Sequence, residues 1–448
     1  MNAPSGSEAL APDRRAAPAP AAAGALSRGP WLAWGGAVVV VAVLPFVFTS
    51  GASLTMMSLM GFAIVFALSY NMLLGQTGML SFGHAVYYGL GGFITAHALN
   101  AVGAGQWPVP LPVMPLVGGL AGLAFALVFG WVSTKRAGTA FAMISLGIGE
   151  LVAACSLILR GFFGGEGGIS TSRTATLKFL GLNFGPQVQV YYLIAAWCLL
   201  SMAAMYAFTR TPLGRMCNAV RDNPERAEFV GYSTQMVRYL AFCASGFFAG
   251  VAGGLAAIHY EIVTASMVGA VPSGFVLLMA YIGGVGFFIG PVIGAVLMTA
   301  LQISLSDYTG AWLLYVGLMF VGVVMFVPWG LGGLLLMQRP LFVGGAWKRV
   351  LPVYALGIVP TALLGAGLVA LVETAHHLLV KATEGPAMRL FGIAYAADSP
   401  LAWAVIAAVL AAGLAALRWV APRVSAAWHG AVQEALRLKA GPAPGGSR

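Results

Sequence analysis

Charge is what this sequence has least of. Asp, Glu, Lys and Arg make up 8% of its 448 residues, against roughly a quarter in an average soluble domain. That scarcity excludes an ordinary water-soluble enzyme, whose surface must be polar. Cysteine is scarce too: Cys155, Cys198, Cys217 and Cys243 lie far apart without metal-ligand spacing and read as small core hydrophobes. Catalytic signatures are missing. There is no His-Glu-x-x-His zinc helix, no Gly-x-Ser-x-Gly nucleophile turn and no paired-Cys motif, so a membrane enzyme finds no support and no cofactor or metal is implied. No Lys follows a Gly, which excludes a Gly-x-x-x-x-Gly-Lys phosphate loop from this chain.

What the chain has is hydrocarbon, 60% of its residues. Single soluble cores stop growing near about 250 to 300 residues, so the remaining solvent for this surface is lipid. A spanning helix takes about 20 apolar residues. Apolar stretches begin near Leu32, Leu54, Val86, Val109, Thr139, Val190, Val237, Gly274, Pro291, Ala311, Leu351 and Leu401, which predicts an all-α, polytopic transmembrane helix bundle of about twelve spans. The run from Leu32 to Thr49 exceeds a signal-peptide core and leads at once into the next apolar stretch, so it reads as an uncleaved first span. Residues 1–31, rich in Ala and Pro, read as a disordered tail, and residues 423–448 as a basic tail.

The formal charge of +10 would suggest nucleic acid in a soluble protein. Here the bases are scattered through loops, which argues against that partner and for orientation in a bilayer. If the amino-terminal tail is cytosolic, alternate loops give eighteen Lys and Arg to that side. The other receives five: Arg160, Arg173, Lys178, Lys381 and Arg389. Positive charge accumulates on the cytosolic side, so both termini are expected there and the span count is expected to be even.

Glycine, at 60 residues, is patterned. Gly246, Gly250 and Gly254 recur every four residues, as do Gly286, Gly290 and Gly294, a spacing that lets another helix backbone approach one face. Two further clusters, Gly75-Gln76-Thr77-Gly78 with Ser81 and Gly83, and Gly283-Gly284-Val285-Gly286 before Gly290-Pro291, interrupt apolar regions. They are either simple inter-helix turns or broken helices lining a substrate path.

The longest polar stretch runs from Arg210 to Arg238. Thr211 before Pro212 starts one helix, and Pro224 and Gly231 bracket a second from about Glu225 to Val230. So short a helix does not fold alone. Its mixture of Ala227, Phe229 and Val230 with Arg221, Glu225, Arg226 and Glu228 suits a groove on another protein, or else a solvated loop.

Here the residues carry a resemblance. The segment 211–231 resembles the cytoplasmic loop of ABC-importer permeases, Glu-Ala-Ala followed three residues later by Gly: Glu225, Ala227 and Gly231 match, and Arg226 stands where the first Ala would be. Pro212-Leu213-Gly214-Arg215 through Ala219-Val220-Arg221-Asp222-Asn223 is similar to the branched-chain amino acid permease subunits. Asn71, Gly75-Gln76-Thr77-Gly78 and Leu80-Ser81-Phe82-Gly83-His84 resemble that family's Gly-Gln-x-Gly-x-x-Ser-x-Gly-His signature, and Gly284, Gly286, Gly290-Pro291 and Pro328-Trp329-Gly330-Leu331 fit its order. The resemblance spans 32–342 and implies about ten family spans, with 343–422 supplying two more.

It further implies a bacterial inner-membrane permease whose partners are ABC ATPase subunits, a second and different permease subunit, a periplasmic substrate-binding protein and membrane lipid. ATP would be hydrolysed on the separate subunits, and the solute would be a branched-chain amino acid or a similar small polar molecule. Arg215, Ala219, Asn223, Glu225, Ala227 and Gly231 are the expected ATPase-coupling positions, and Asn71, Gln76, Ser81, His84 and Glu150 the expected path-lining ones. Glu150, the one carboxylate near mid-span, either meets a substrate ammonium or is bonded within the bundle, and His84 either pins the break after Gly83 or lines the path. An ion-coupled secondary transporter or channel is the rival reading. His376 and His377, adjacent in sequence, point to different helix faces, which disfavours a metal.

Overall fold

Apolar runs of about 20 residues with few charges satisfy their backbone polar groups in lipid only as helices, and helices dominate here. The computed structural model describes residues 29–176, 181, 183–343, 347–380 and 385–440. The Ala- and Pro-rich stretch 1–28, Lys178, Lys381, Glu384 and the segment 441–448 lie outside the described residues.

Helix α1 (Gly29–Val47), with Pro45 near its end, belongs to a unit of its own. The second unit opens at Phe48. Its first helices are α2 (Gly51–Thr77), α3 (Ala85–Gly103), α4 (Met114–Ser133), α5 (Thr139–Ile158), the single turn α6 (Arg160–Phe163) and α7 (Gln187–Arg210). The short α8 (Pro212–Asp222) and α9 (Pro224–Phe229) precede α10 (Thr234–Tyr260), α11 (Ala270–Gly283), α12 (Gly290–Tyr308), α13 (Trp312–Phe326) and α14 (Gly330–Val343). Two long helices close the chain, α15 (Trp347–Val380) and α16 (Pro400–Ala440).

Among the described residues eight helices are long and apolar enough to cross a membrane, and nine if α13 and α14, bent by 52° at their break, make one span. This makes a multi-pass membrane protein. The expectation of about twelve rests also on α1 and α11, whose apolar stretches are shorter, and on α3, where Gly, Tyr, His97 and Asn100 dilute the apolar run. Two small antiparallel pairs were not foreseen. β1 (Ile169–Ser170) pairs with β2 (Ile262–Val263), and β3 (Ala387–Leu390) with β4 (Ile393–Ala396). Phe391 and Gly392, which join the latter, have φ of 51° and 82°, as a two-residue hairpin of the primed type requires.

By far the most buried span is α10, which packs on α2, α3 and α4. Its glycines explain why. A methyl group on Gly250 would overlap the Gly118 carbonyl of α4 and come within 2.9 Å of Gly122 Cα; one on Gly246 would strike Ala126; one on Gly254 would press on Thr95 Oγ1 and Pro115. Gly91 of α3 faces Gly250 in turn. Without side chains between them the backbones reach dispersion contact along whole turns, the close approach that small residues permit in membranes.

The second glycine series does not lie along one helix. Gly290 and Gly294 sit on α12 against Gly283, Gly284 and Met279, whereas Gly286 falls in the turn before α12 with nothing within 4 Å of its missing side chain. The four-residue spacing crosses a helix start there, so no single face carries it.

The last two helices pack antiparallel, with Gly367 against Val409 and Leu410 and Gly413 against Leu364. They attach to the remainder through Tyr315, whose hydroxyl donates to Glu373 Oε1 at 2.9 Å, and through Gln338, whose amide bonds the Tyr354 hydroxyl at 3.0 Å. His377 Nε2 donates to the Gly385 carbonyl at 2.9 Å, and His376 lies against Gly310.

Gly250→Val forces rigid backbones apart, at about 1 to 3 kcal/mol or more. The expected outcome is a markedly lower melting temperature in detergent by scanning fluorimetry. Gly317→Ala, with nothing within 4 Å, is expected to melt like the parent.

Candidate functional site

Three interruptions of the helices meet at one place. The first follows α2. Gly78, at φ 69°, ends the helix, its amide bonding Leu74 O at 3.2 Å, while Met79 N reaches Leu73 O at 3.1 Å. The chain then climbs back beside α2 without helical structure until α3 begins at Ala85, so that His84 lies against Ser69, eight residues before the end of α2, or about 12 Å along its axis. The second interruption, between α11 and α12, turns at Gly284 with φ 109°. The third separates α13 from α14 at Gly330, φ 65°.

A methyl on Gly75 would come within 2.7 Å of the Val285 carbonyl, one on Gly284 would overlap the Trp329 carbonyl, and one on Gly330 would overlap the Gly284 backbone. Gly83 is seated just as closely on the Ser145 carbonyl of α5. Each break is thus roofed by the backbone of another, which only glycine allows.

The first break is held by hydroxyls. Tyr70 OH donates to Ser81 O at 3.1 Å, Phe82 N to Ser145 Oγ at 3.0 Å, and Ala85 N to Ser273 Oγ of α11 at 3.0 Å. Ser245 of α10 donates to Ser69 O at 2.6 Å. Ser69 gives its proton to Phe66 O at 2.7 Å, so in its 3.0 Å bond to His84 the imidazole Nε2 is the donor. His84 Nδ1 is then left as a bare acceptor. His84 is fully buried, stacked on Phe66 with centroids 5.5 Å apart and edge-on to Tyr70 at 5.3 Å.

Among the described residues six buried side-chain atoms have no hydrogen-bond partner, and four are Asn71 Oδ1, Gln76 Oε1, Ser81 Oγ and His84 Nδ1. Such atoms cost about 1 to 3 kcal/mol each, so four on one short strip call for a function. These are the four polar side chains that the sequence marks at this break. Glu150 lies apart from them. It is exposed on α5, on the stripe of Met143, Gly147, Leu151 and Ala154 that faces away from the packed Ser145 and Gly149.

Beside the end of α2 lies the pair α8 and α9. Thr211 Oγ1 accepts from Gly214 N at 3.2 Å and Asn223 Oδ1 from Arg226 N at 2.9 Å, each capping one helix. Tyr232 N bonds Ala227 O at 3.1 Å and Gly231 N bonds Glu228 O at 2.9 Å, with Gly231 at φ 91°; these two bonds define the Schellman closure. Cys217 and Val220 of α8 and Ala227 of α9 form a small core with Val237 and Ala241 of α10. Burial pushes the Cys217 thiol up to about 12.

Ala227 therefore faces inward rather than toward a foreign groove. The outward face carries Arg215 and Ala219 on α8 and Glu225, Arg226 and Phe229 on α9, with Phe229 90% and Val230 70% exposed. Arg226 points to solvent from that rim. The sequence placed Arg221 among the charges of a segment suited to a partner's groove or a solvated loop, whereas its Nη1 donates to the Gly75 carbonyl and its stem lies against Gly78. Sequence reasoning did not single out Ser69, Ser145, Ser245 or Ser273, because a serine in an apolar run is read as ordinary.

At the opposite end of α10, Arg173 ties down the loop between α6 and α7. Its guanidinium lies 3.8 Å from Glu261 Oε2, its Nε donates to Phe184 O at 3.0 Å, and its amide donates to Glu261 Oε1 at 2.9 Å.

Residues 52–328 match the family described as branched-chain amino acid transport system / permease component. The chain belongs to this family. It is a permease component, and α15 and α16 lie beyond the matched region. The chain is 29% identical over 330 residues to the high-affinity branched-chain amino acid transport system permease protein LivM of Escherichia coli (strain K12), covering 68% of this chain and 75% of that one. It is 24% identical to a probable branched-chain amino acid transport permease protein LivH of Methanocaldococcus jannaschii (60% and 88% covered), and 22% to BraD of Pseudomonas aeruginosa (54% and 82%). No solved structure matches.

Arg173→Ala in this permease removes charge-assisted bonds worth about 1.5 to 3 kcal/mol in similar settings. Amides of 169–176 are expected to exchange about tenfold faster or more in hydrogen-exchange mass spectrometry, while those of α8 keep their rates.

Proposed function

We propose that this permease component is one of two membrane subunits of an ATP-binding-cassette importer in the bacterial inner membrane, with twelve crossings and both termini cytosolic. Its α8–α9 pair is the rod on which a separate ATPase acts. The observation that carries this reading is that one face of the pair grips α10 through its own small core while the other holds Phe229 and Val230 out in water. Exposed large apolar side chains on a rigid, capped element mark a surface for a partner. Glu225, Arg226, Arg215 and Ala219 make its rim.

Asn71, Gln76, Ser81 and His84 line the solute path. Three of their free atoms are acceptors and the fourth is a hydroxyl, a set that welcomes a hydrogen-bond donor such as the ammonium group of an amino acid. Broken helices at membrane depth are where transporters place such sites. The names of the relatives support branched-chain amino acids as the solute. Glu150, mid-span on an exposed stripe, belongs at the face shared with the second permease, since an isolated carboxylate in lipid is costly. A periplasmic binding protein delivers the solute to the end that carries Arg173.

The test is uptake of labelled leucine, isoleucine or valine by proteoliposomes holding this chain, its second permease, the ATPases and the binding protein. ATP-dependent uptake is expected. Phe229→Asp is expected to lose the ATPase on co-purification. Gly231→Val, with a β-branched residue forced to φ 91°, is expected to retain less than a tenth of the uptake while staying in the membrane. Uptake driven by a proton gradient without ATPase would overturn the proposal in favour of an ion-coupled transporter.

A further inference from the structure

The rod and the path touch through one side chain. The closure at Gly78 takes up the carbonyls of Leu73 and Leu74, and those further along the last turn of α2, Gly75 among them, are left without intrahelical amides. Arg221 reaches across from α8: Nη1 donates to the Gly75 carbonyl and Nε pairs with Asp222 Oδ1 at 2.9 Å. Its stem fills the space over Gly78, where a methyl would meet Arg221 Cγ at 3.0 Å. A guanidinium at a helix C-terminus meets both the bare carbonyls and the negative end of the dipole. The peptide it holds is the one under Asn71, whose carboxamide fills the place a Gly75 side chain would take, and it is followed directly by Gln76.

From these contacts we infer that Arg221 is a positioning residue for transport: it fastens α8 to the broken end of α2, so that displacement of the rod is delivered to the strip bearing Asn71, Gln76, Ser81 and His84. The inference rests on the reading of α8–α9 as the ATPase-facing rod. Neither Nη1 nor Nε alone explains the choice of residue. Holding Asp222 with one nitrogen and Gly75 with another fixes the direction of pull, which a lysine ammonium, a single point on a flexible stem, does less well.

The assembled importer in proteoliposomes tests it with Arg221→Gln, Arg221→Lys and, as a reference, Asp222→Asn, which removes a charge but keeps an oxygen to accept from Nε and leaves the Gly75 bond in place. Three quantities are read for each: ATPase co-purified, ATP hydrolysed, and solute moved per ATP. Arg221→Gln is expected to bind the ATPase and hydrolyse ATP at a rate within about threefold of the parent, yet move at least tenfold less solute per ATP. Arg221→Lys is expected to recover part of that ratio, and Asp222→Asn to stay within about twofold of the parent. Solute per ATP unchanged in Arg221→Gln would overturn the inference. So would loss of co-purified ATPase or of folded protein in Arg221→Gln with normal coupling in Arg221→Lys, since the residue would then be a structural prop. Failure of the underlying reading is distinct: there the parent chain itself would bind no ATPase.

Discussion

A polar backbone group away from water must find a partner inside the protein, and in lipid that demand is nearly absolute. Every unusual feature of this permease follows from it. A helix that ends inside the protein exposes the carbonyls of its last turn and the amides of the next helix, and here three such ends are brought together. Gly75, Gly284 and Gly330 let the carbonyls of Val285 and Trp329 and the backbone of Gly284 close over one another, while Ser145 and Ser273 take the amides of Phe82 and Ala85. One carbonyl of the last turn of α2, at Gly75, goes to Arg221 of α8.

The same economy explains the glycine seam of α10. Lipid tails are as apolar as leucine, so helices gain little by burying side chains against one another and must gain by contact density instead. Gly246, Gly250 and Gly254 supply it by bringing α10 onto α4, and Gly91 onto Gly250 adds α3. The helix on which α8 and α9 rest is therefore also the helix to which α2, α3 and α4 are fixed.

Much of this was legible in the residues. Low charge and long apolar runs imply helices in lipid, Thr211-Pro212 and the bracket of Pro224 and Gly231 announce two short helices, and Gly75, Gly78 and Gly83 announce an interruption, as a turn or a break. Period and capping are local, and local signals survive folding. What sequence did not carry was contact between distant segments. That Ala227 turns inward while Phe229 turns out depends on where α10 runs, and that Gly286 sits outside α12 depends on which glycine starts the helix. The number of crossings suffers similarly: α3, softened by polar positions such as His97 and Asn100, and α11, with 14 residues, owe their place to neighbours rather than to hydrophobicity. The hairpin of β3 and β4 rests on Phe391 adopting a positive φ, which composition does not announce.

A lever works only if it is stiffer than what it moves. The two helices α8 and α9 are too short to be stiff alone, and they gain rigidity from three sources: caps at Thr211 and Asn223, the closure at Gly231, and the core shared with Val237 and Ala241. In the proposed coupling, a push on the rod would pass to α10 through that shared core and, through Gly75, to the end of α2. The strip from Asn71 to His84 is tied at two points, beside Ser69 by Ser245 of α10 and at Gly75 by Arg221 of α8.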